Sequence, residues 1–233
     1  MNAAADMQIG SQEWTAMLSE GAARMGLTVR PAQAAQFATH ARLLLEWNRK
    51  INLTAITDPT QVAVKHYLDA IAPLDHIPPG GRLLDIGTGG GFPGIPLKVM
   101  RPDQPMTLID GVRKKVNFVK HVIRALRLNR IEALHTRAED LKNDGQHSTG
   151  FEVIVCRALA DPDAAIQLAL PLLAEKGCLL VYHGPRAAVQ HADSQFSVSI
   201  NEHHCRLQRQ THTYKLPFLG DDRSVLILKP MTS

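Results

Sequence analysis

A chain of 233 residues, 45% hydrophobic and 21% charged, is long enough to bury a full core, as one domain of ordinary size or one domain with a small extension. No apolar run approaches the length of a membrane span, and Met1-Asn2-Ala3-Ala4-Ala5-Asp6 lacks the basic-then-apolar pattern of a secretory signal. Cys156, Cys178 and Cys205, odd in number and far apart, argue against a disulfide framework, so a cytoplasmic protein with no membrane partner is expected.

The first eighty residues read as helical. Ser11 to Met25 places Trp14, Met17, Leu18 and Ala22 at helical spacing, and Pro31 opens a longer helix with Phe37, Ala41, Leu44, Leu45 and Asn48 along one side. Asp58-Pro59-Thr60-Gln61 is a start signal, with Asp58 as cap and Pro59 at the first position, for a third helix running to about Leu74. Pro78-Pro79-Gly80-Gly81 then breaks the chain. The break divides it into an N-terminal helical extension, 1–78, packed on a main domain, 79–233.

The main domain opens on Leu83 to Leu97, where a short apolar run ends in glycines and a helical pattern follows, the order strand, tight turn, helix. Gly87, Gly89 and Gly91 let the backbone turn sharply and approach a ligand with no Cβ in the way. The helix start offers free N–H groups to an anionic part of that ligand. Two cofactors fit these letters. Gly89-Gly90-Gly91-Phe92-Pro93-Gly94 satisfies the dinucleotide pattern, with Asp110 at ribose distance downstream. Read from Asp85, the run is Asp-x-Gly-x-Gly-x-Gly, an arrangement seen in S-adenosylmethionine (SAM) methyltransferases. There the carboxylate can hold the methionine ammonium, directly or through water, which a pyrophosphate ligand would not want. The plainer alternative makes Asp85 a helix-cap residue in a turn with no ligand.

Beyond the turn, strands and helices alternate. Pro105 to Asp110, Ile131 to His135, Phe151 to Cys156 and Gly177 to Tyr182 read as strands. Val112 to Leu126 and Ala164 to Leu173 read as helices, the first with Val112, Val116, Val119, Ile123 and Leu126 toward the core. Asn143 to Gly150 reads as an exposed loop, and Arg206 to Tyr214 with Ser224 to Leu228 as an antiparallel pair. The fold class is therefore α/β: a Rossmann-like, mostly parallel sheet with an antiparallel C-terminal edge and helices on both faces. Ligands of such sheets sit beyond the strands' carboxyl ends, so Asp85, Asp110, Arg137 to Glu139 and Arg157 should ring one crevice. His203, His204, Cys205 and His212 do not have metal-ligand spacing, and adjacent residues of a strand point to opposite faces. From Gly111 to Arg130 there are seven Lys or Arg residues and no Asp or Glu. With Arg42, Arg49, Lys50 and Lys65, this run suits a polyanionic partner or a solvated helix face.

Several stretches carry a resemblance: Trp47-Asn48-Arg49-Lys50-Ile51-Asn52-Leu53-Thr54, His66-Tyr67-Leu68-Asp69, and all of Leu83 to Leu97. It continues in Arg113-Lys114-Lys115-Val116-Asn117-Phe118, Thr136-Arg137-Ala138-Glu139 and Cys156-Arg157-Ala158, with an echo at Asp222-Arg223. Together they resemble the RsmG (GidB) family of bacterial SAM-dependent methyltransferases acting on 16S rRNA. The resemblance implies methylation at N7 of one guanine in the decoding-region loop, on 16S rRNA, the small ribosomal subunit or an assembly intermediate. It implies that Gly87 and Phe92 flank the methionine part of SAM, that Ala138 and Glu139 meet the adenine, and that Arg157 closes the site. Asp110 then bonds the ribose. Where members commonly have Leu-Lys-Gly after the fifth strand, this chain has Tyr182-His183-Gly184, which puts an RNA-phosphate contact in doubt. His66 and Asp69, three apart on one helix face, either bond each other at a contact or, with Arg157, position the guanine. A NAD(P)-dependent oxidoreductase and a non-catalytic RNA-binding assembly factor are the competing readings, and a monomer is expected.

Overall fold

The computed structural model describes residues 7–141, 150–157, 162–184, 194–200 and 203–231. The leader forms α1 (Gln12–Arg24) and α2 (Pro31–Asn48), then a third helical stretch. That stretch begins as α3 (Pro59–Gln61), widens into a π-helical segment (Val62–Leu68) and returns as α4 (Asp69–Ile71). Asp58 caps its start by accepting the Gln61 N–H at 2.8 Å, as the cap signal implied. The widening was not expected: the Asp69 N–H reaches back to the Val64 carbonyl, five residues away. A short 3-10 turn, Leu74–His76, ends the leader.

One eight-stranded sheet runs in the order β3-β2-β1-β4-β5-β8-β7-β6. Its strands are β1 (Leu83–Ile86), β2 (Met106–Asp110), β3 (Ile131–His135), β4 (Phe151–Arg157), β5 (Leu173–His183), β6 (Ser194–Ile200), β7 (His203–Lys215) and β8 (Asp222–Pro230). The first five pair in parallel and the last three are antiparallel. The mostly parallel Rossmann-like class stands, with one correction. The antiparallel edge has three strands, because Ser194–Ile200 adds an outer one. Phe196, Val198 and Ile200 alternate there with polar residues, a half-buried strand pattern that the expected pair left out.

The connecting helices are α5 (Gly94–Met100), α6 (Arg113–Ala125), the four-residue α7 (Ala138–Leu141) and α8 (Pro162–Ala169). A second correction concerns Val112, expected in the core but 48% exposed. It is the cap before α6, in extended backbone, so the helical period does not yet apply to it. The loop expected at Asn143 to Gly150 lies outside the described residues except for Gly150. Among the described residues no helix is long and apolar enough to cross a membrane.

Two apolar clusters sandwich the sheet. One joins the leader's Trp14, Phe37 and Tyr67 to Leu83, Leu108, Phe118 and Val119. Burying each large leader side chain contributes about 2 kcal/mol, which holds the helices on the sheet. Polar bonds cross the same boundary: Gln33 donates to the Val99 carbonyl at 3.1 Å and Tyr182 to the Ala70 carbonyl at 2.8 Å.

Candidate active site

The registers align the carboxyl ends of β3, β2, β1 and β4, with Asp110 opposite His135 and Ile86 between Ile109 and Cys156. The chain leaves β1 toward β2 on one side and later returns to β4 on the other, so a crevice opens at this switch point. The turn after β1 occupies it. Gly87, Gly89 and Gly91 hold φ of +72°, +57° and +86°, a region that L side chains enter at a cost. The N–H groups of Gly87 and Thr88 both donate to the Ile109 carbonyl, at 2.9 and 3.0 Å, which pins the turn onto β2.

The glycines divide into two kinds. A Cβ at Gly90 would lie 2.9 Å from Leu44, at Gly91 2.7 Å from Ile95, and at Gly94 2.6 Å from Asp85 Oδ2. Those three are small because protein packs against them. A Cβ at Gly87 would meet nothing within 4 Å, and at Gly89 only the Gly87 carbonyl at 3.9 Å. Their open side forms a cradle of bare backbone that suits a closely approaching ligand.

Asp85 lies beneath the turn, wholly buried. Its Oδ2 accepts the Gly94 N–H at 2.9 Å, so it does cap α5, while Oδ1 is buried without a hydrogen-bond partner. Burial pushes its carboxyl up to about 6, against the opposing pull of the Gly94 N–H and Arg157. A buried carboxylate with one idle oxygen fits a cationic ligand group. Asp110 accepts the Gly89 N–H on Oδ2 at 3.0 Å and the Val112 N–H on Oδ1 at 2.8 Å, holding the turn and the start of α6 together. Ala138 is buried at the start of α7 and Glu139 is exposed beside it; Arg137 lies near Gly111, next to Asp110.

Across the crevice, the Arg157 guanidinium at the end of β4 sits 5.1 Å from the Phe92 ring centroid. Arg157 also donates to the Lys65 carbonyl at 3.2 Å and to Asp69 Oδ2 at 3.4 Å. Asp69 accepts from the Tyr214 hydroxyl at 2.8 Å and pairs with Arg223 at 3.8 Å. Burial raises its pKa, while Arg157, the Tyr214 hydroxyl and Arg223 pull it down. His66 bonds Thr54 Oγ1 at 2.9 Å and stacks on Phe92 at 4.6 Å. Burial first, then Arg157 and His40, lower its pKa to about 3, so the imidazole is neutral. His66 and Asp69 therefore do not bond each other, because the π-helical segment sends them to different partners.

Sequence reasoning thus brought Asp85, Gly87, Phe92, Asp110 and Arg157 together, with Ala138 and Glu139 along the rim. It missed His40 and Tyr214, and gave no role to Thr54 and Arg223, which lie in the stretches that carry the resemblance. His40 carried a signal, a histidine three residues after Phe37 and four before Leu44 on an otherwise apolar stripe. His183 ends β5, paired with Ser224. Trp47 packs on Phe118 and His121 at 5.5 and 5.4 Å, and so fixes the end of α2 beside α6.

The model of the family described as rRNA small subunit methyltransferase G matches residues 33–214. A protein from Geobacter metallireducens named Ribosomal RNA small subunit methyltransferase G is 36% identical over 217 residues, 93% of this chain and 96% of that protein. One of the same name from Geobacter sulfurreducens is 38% identical over 210 residues, 90% of this chain and 94% of that protein. Among solved structures, a mutant of MtNAS superposes with a TM-score of 0.52 at 16% identity, covering 95% of this chain and 78% of that one. This last likeness bears on the fold alone.

Proposed function

The chain belongs to the rRNA small subunit methyltransferase G family, and from that premise we propose that it methylates N7 of one guanine in the decoding-region loop of 16S rRNA, using SAM. When bound, SAM supplies an electrophilic methyl group on a sulfonium. The observation that carries the reading is the idle Oδ1 of buried Asp85 beside the open Gly87–Gly89 cradle. That carboxylate would hold the methionine ammonium, directly or through water. Asp110, its Oδ atoms already fixed by backbone N–H groups, turns remaining lone pairs to the ribose. Gly87, Gly89, Gly91 and Phe92 shape the methionine side, and Ala138 and Glu139 line the adenine.

Guanine N7 carries a lone pair and no proton, so the transfer needs alignment and a setting that tolerates a cationic product, with no general base. The buried, neutral state of His66 agrees with that. His66 and Asp69 act on the site by holding Phe92 and Arg157, and Arg157 closes the cleft. The exposed Arg113, Lys114, Lys120, Arg124 and Arg127 on and after α6, with Arg49 and Lys50 beside them, form the surface for the RNA backbone. Residues 1–78 serve as a helical extension on the 79–233 methyltransferase domain, and the chain works as a monomer in the cytoplasm, on 16S rRNA or an assembling small subunit.

The test is calorimetric titration with S-adenosylhomocysteine (SAH) and with NAD, followed by labelled methyl transfer to small-subunit RNA mapped by mass spectrometry. Uptake of SAH but not NAD, and one labelled guanine, is expected. NAD uptake without SAH uptake favours the oxidoreductase; SAH uptake with no transfer to RNA removes the substrate assignment.

A further inference from the structure

Gly89-Gly90-Gly91 is the most permissive backbone in the chain, and ordering three consecutive glycines costs more conformational entropy than ordering any other triplet. Asp110 restrains it at the Gly89 N–H. A second restraint comes from the leader, fifty residues earlier in the chain, where His40 Nε2 lies 2.9 Å from the Gly90 carbonyl. A carbonyl only accepts, so Nε2 carries the proton, and Nδ1 is buried with no partner. The ring is fully buried. It stacks on Phe92 at 4.9 Å and on Phe118 at 6.0 Å, and meets Tyr67 edge-on at 5.7 Å.

We propose that His40 is a positioning residue for the SAM turn: its Nε2–H holds the Gly90 carbonyl, so that α2 of the leader is part of the cofactor site. A second grip runs alongside. The Asn48 side chain accepts the N–H groups of Leu53 and Thr54 at 2.8 and 3.0 Å and donates to the Thr54 carbonyl at 2.9 Å. Thr54 Oγ1 in turn fixes His66, whose ring stacks on Phe92. Phe92 is thus gripped by two imidazoles, both supplied by the leader, and one of them also fastens the glycine backbone. A packing role alone would not require a donor at Nε2, because a phenyl ring could fill the same stack. The inference rests on the reading of the crevice as a SAM site.

The test compares His40→Gln, which keeps an N–H near the Nε2 position but loses the stack, with His40→Phe, which keeps the stack but loses the donor. SAH affinity is measured by calorimetry and RNA binding without SAH by filter retention. The phenylalanine variant should bind SAH at least about tenfold more weakly, since a buried carbonyl loses its donor. The glutamine variant should stay within about threefold of the parent, and RNA binding should be the same in all three. Equal SAH affinity in the parent and the phenylalanine variant overturns the proposal, as does an equal loss in both variants. Absence of SAH binding by the parent removes the SAM-site reading itself, a separate result. Should the phenylalanine variant not fold, nitrogen-15 NMR of the parent decides. The His40 ring should be the Nε2–H tautomer with a signal that moves on SAH saturation, and an unmoved signal or the other tautomer overturns the proposal.

Discussion

Asp85→Asn separates the two tasks assigned to this side chain. Lifting a carboxyl from 3.8 to about 6 costs the ionised form about 3 kcal/mol at neutral pH, at about 1.4 kcal/mol per pH unit. Full burial of Asp85 leaves no solvent screening to discount. The amide oxygen can still accept the Gly94 N–H, with about 1 kcal/mol less than the charged acceptor. The variant without ligand should therefore be about 2 kcal/mol more stable at pH 7.5, roughly 4–8 °C in melting temperature for a chain of this length. Because the folded-state value is raised, the parent's penalty is absent below 3.8 and grows as pH rises through 6. The variant's advantage should accordingly shrink below about 1 kcal/mol at pH 5. SAH binding should move the other way, weakening about 10- to 100-fold as a charge-assisted contact to the ammonium is lost. Scanning calorimetry at the two pH values and SAH titration at pH 7.5 read both effects. A variant that melts lower at pH 7.5 and binds SAH unchanged would falsify the argument and leave Asp85 as a helix cap only.

Three further outcomes follow from the geometry. Burial lowers His40 from 6.5 to about 4, so its contribution to stability is complete above 6.5 and lost as pH falls toward 4; His40→Gln should flatten the fall in urea-unfolding free energy between pH 6 and 4.5 by about 1.4 kcal/mol per pH unit. Asp69→Asn weakens the pairing of two largely buried guanidiniums, Arg157 and Arg223, and should lower stability by about 3–5 kcal/mol. Single-turnover methyl transfer at saturating SAM and RNA should nevertheless persist, and its abolition with both ligands bound would make Asp69 a participant in the chemistry. On α6, Lys120→Gln should reduce RNA affinity at low salt and lower the slope of log affinity against log salt by about 0.7–0.9; an unchanged slope removes that helix from the RNA surface.

What could be read from the letters alone was what lies close in sequence. Strand, glycine turn and helix follow one another within Leu83 to Leu97, so spacing, cap chemistry and the acidic residue before the first glycine all fall inside one window. The parallel alternation was legible for the same reason, since each strand and helix announces itself by its own period. The missed parts of the site are long-range: His40 meets Gly90 across 50 positions, and Tyr214 meets Asp69 across 145. No local period encodes such a meeting. The π-helical segment was hidden for another reason. Val62 to Leu68 has apolar residues at spacings that an α-helix would also accept, so nothing in the spacing marks the five-residue hydrogen bond.

That distribution bears on how the site works. The residues in that window, Asp85, Gly87 and Gly89, with Asp110 at the end of the next strand, are those that would touch the cofactor, and many sheets of this class could present them. The residues joined over long range come from the leader and the antiparallel edge, and they converge on two groups, Phe92 and Arg157. Phe92 takes imidazoles from α2 and from the π-helical segment, while Arg157 is tied through Asp69 to Tyr214 on β7 and Arg223 on β8. A cofactor turn alone would need neither set. Their convergence makes sense if the wall facing the guanine has to be held rigid from both flanks, because a reaction without acid or base catalysis depends on alignment and loses rate when that wall shifts.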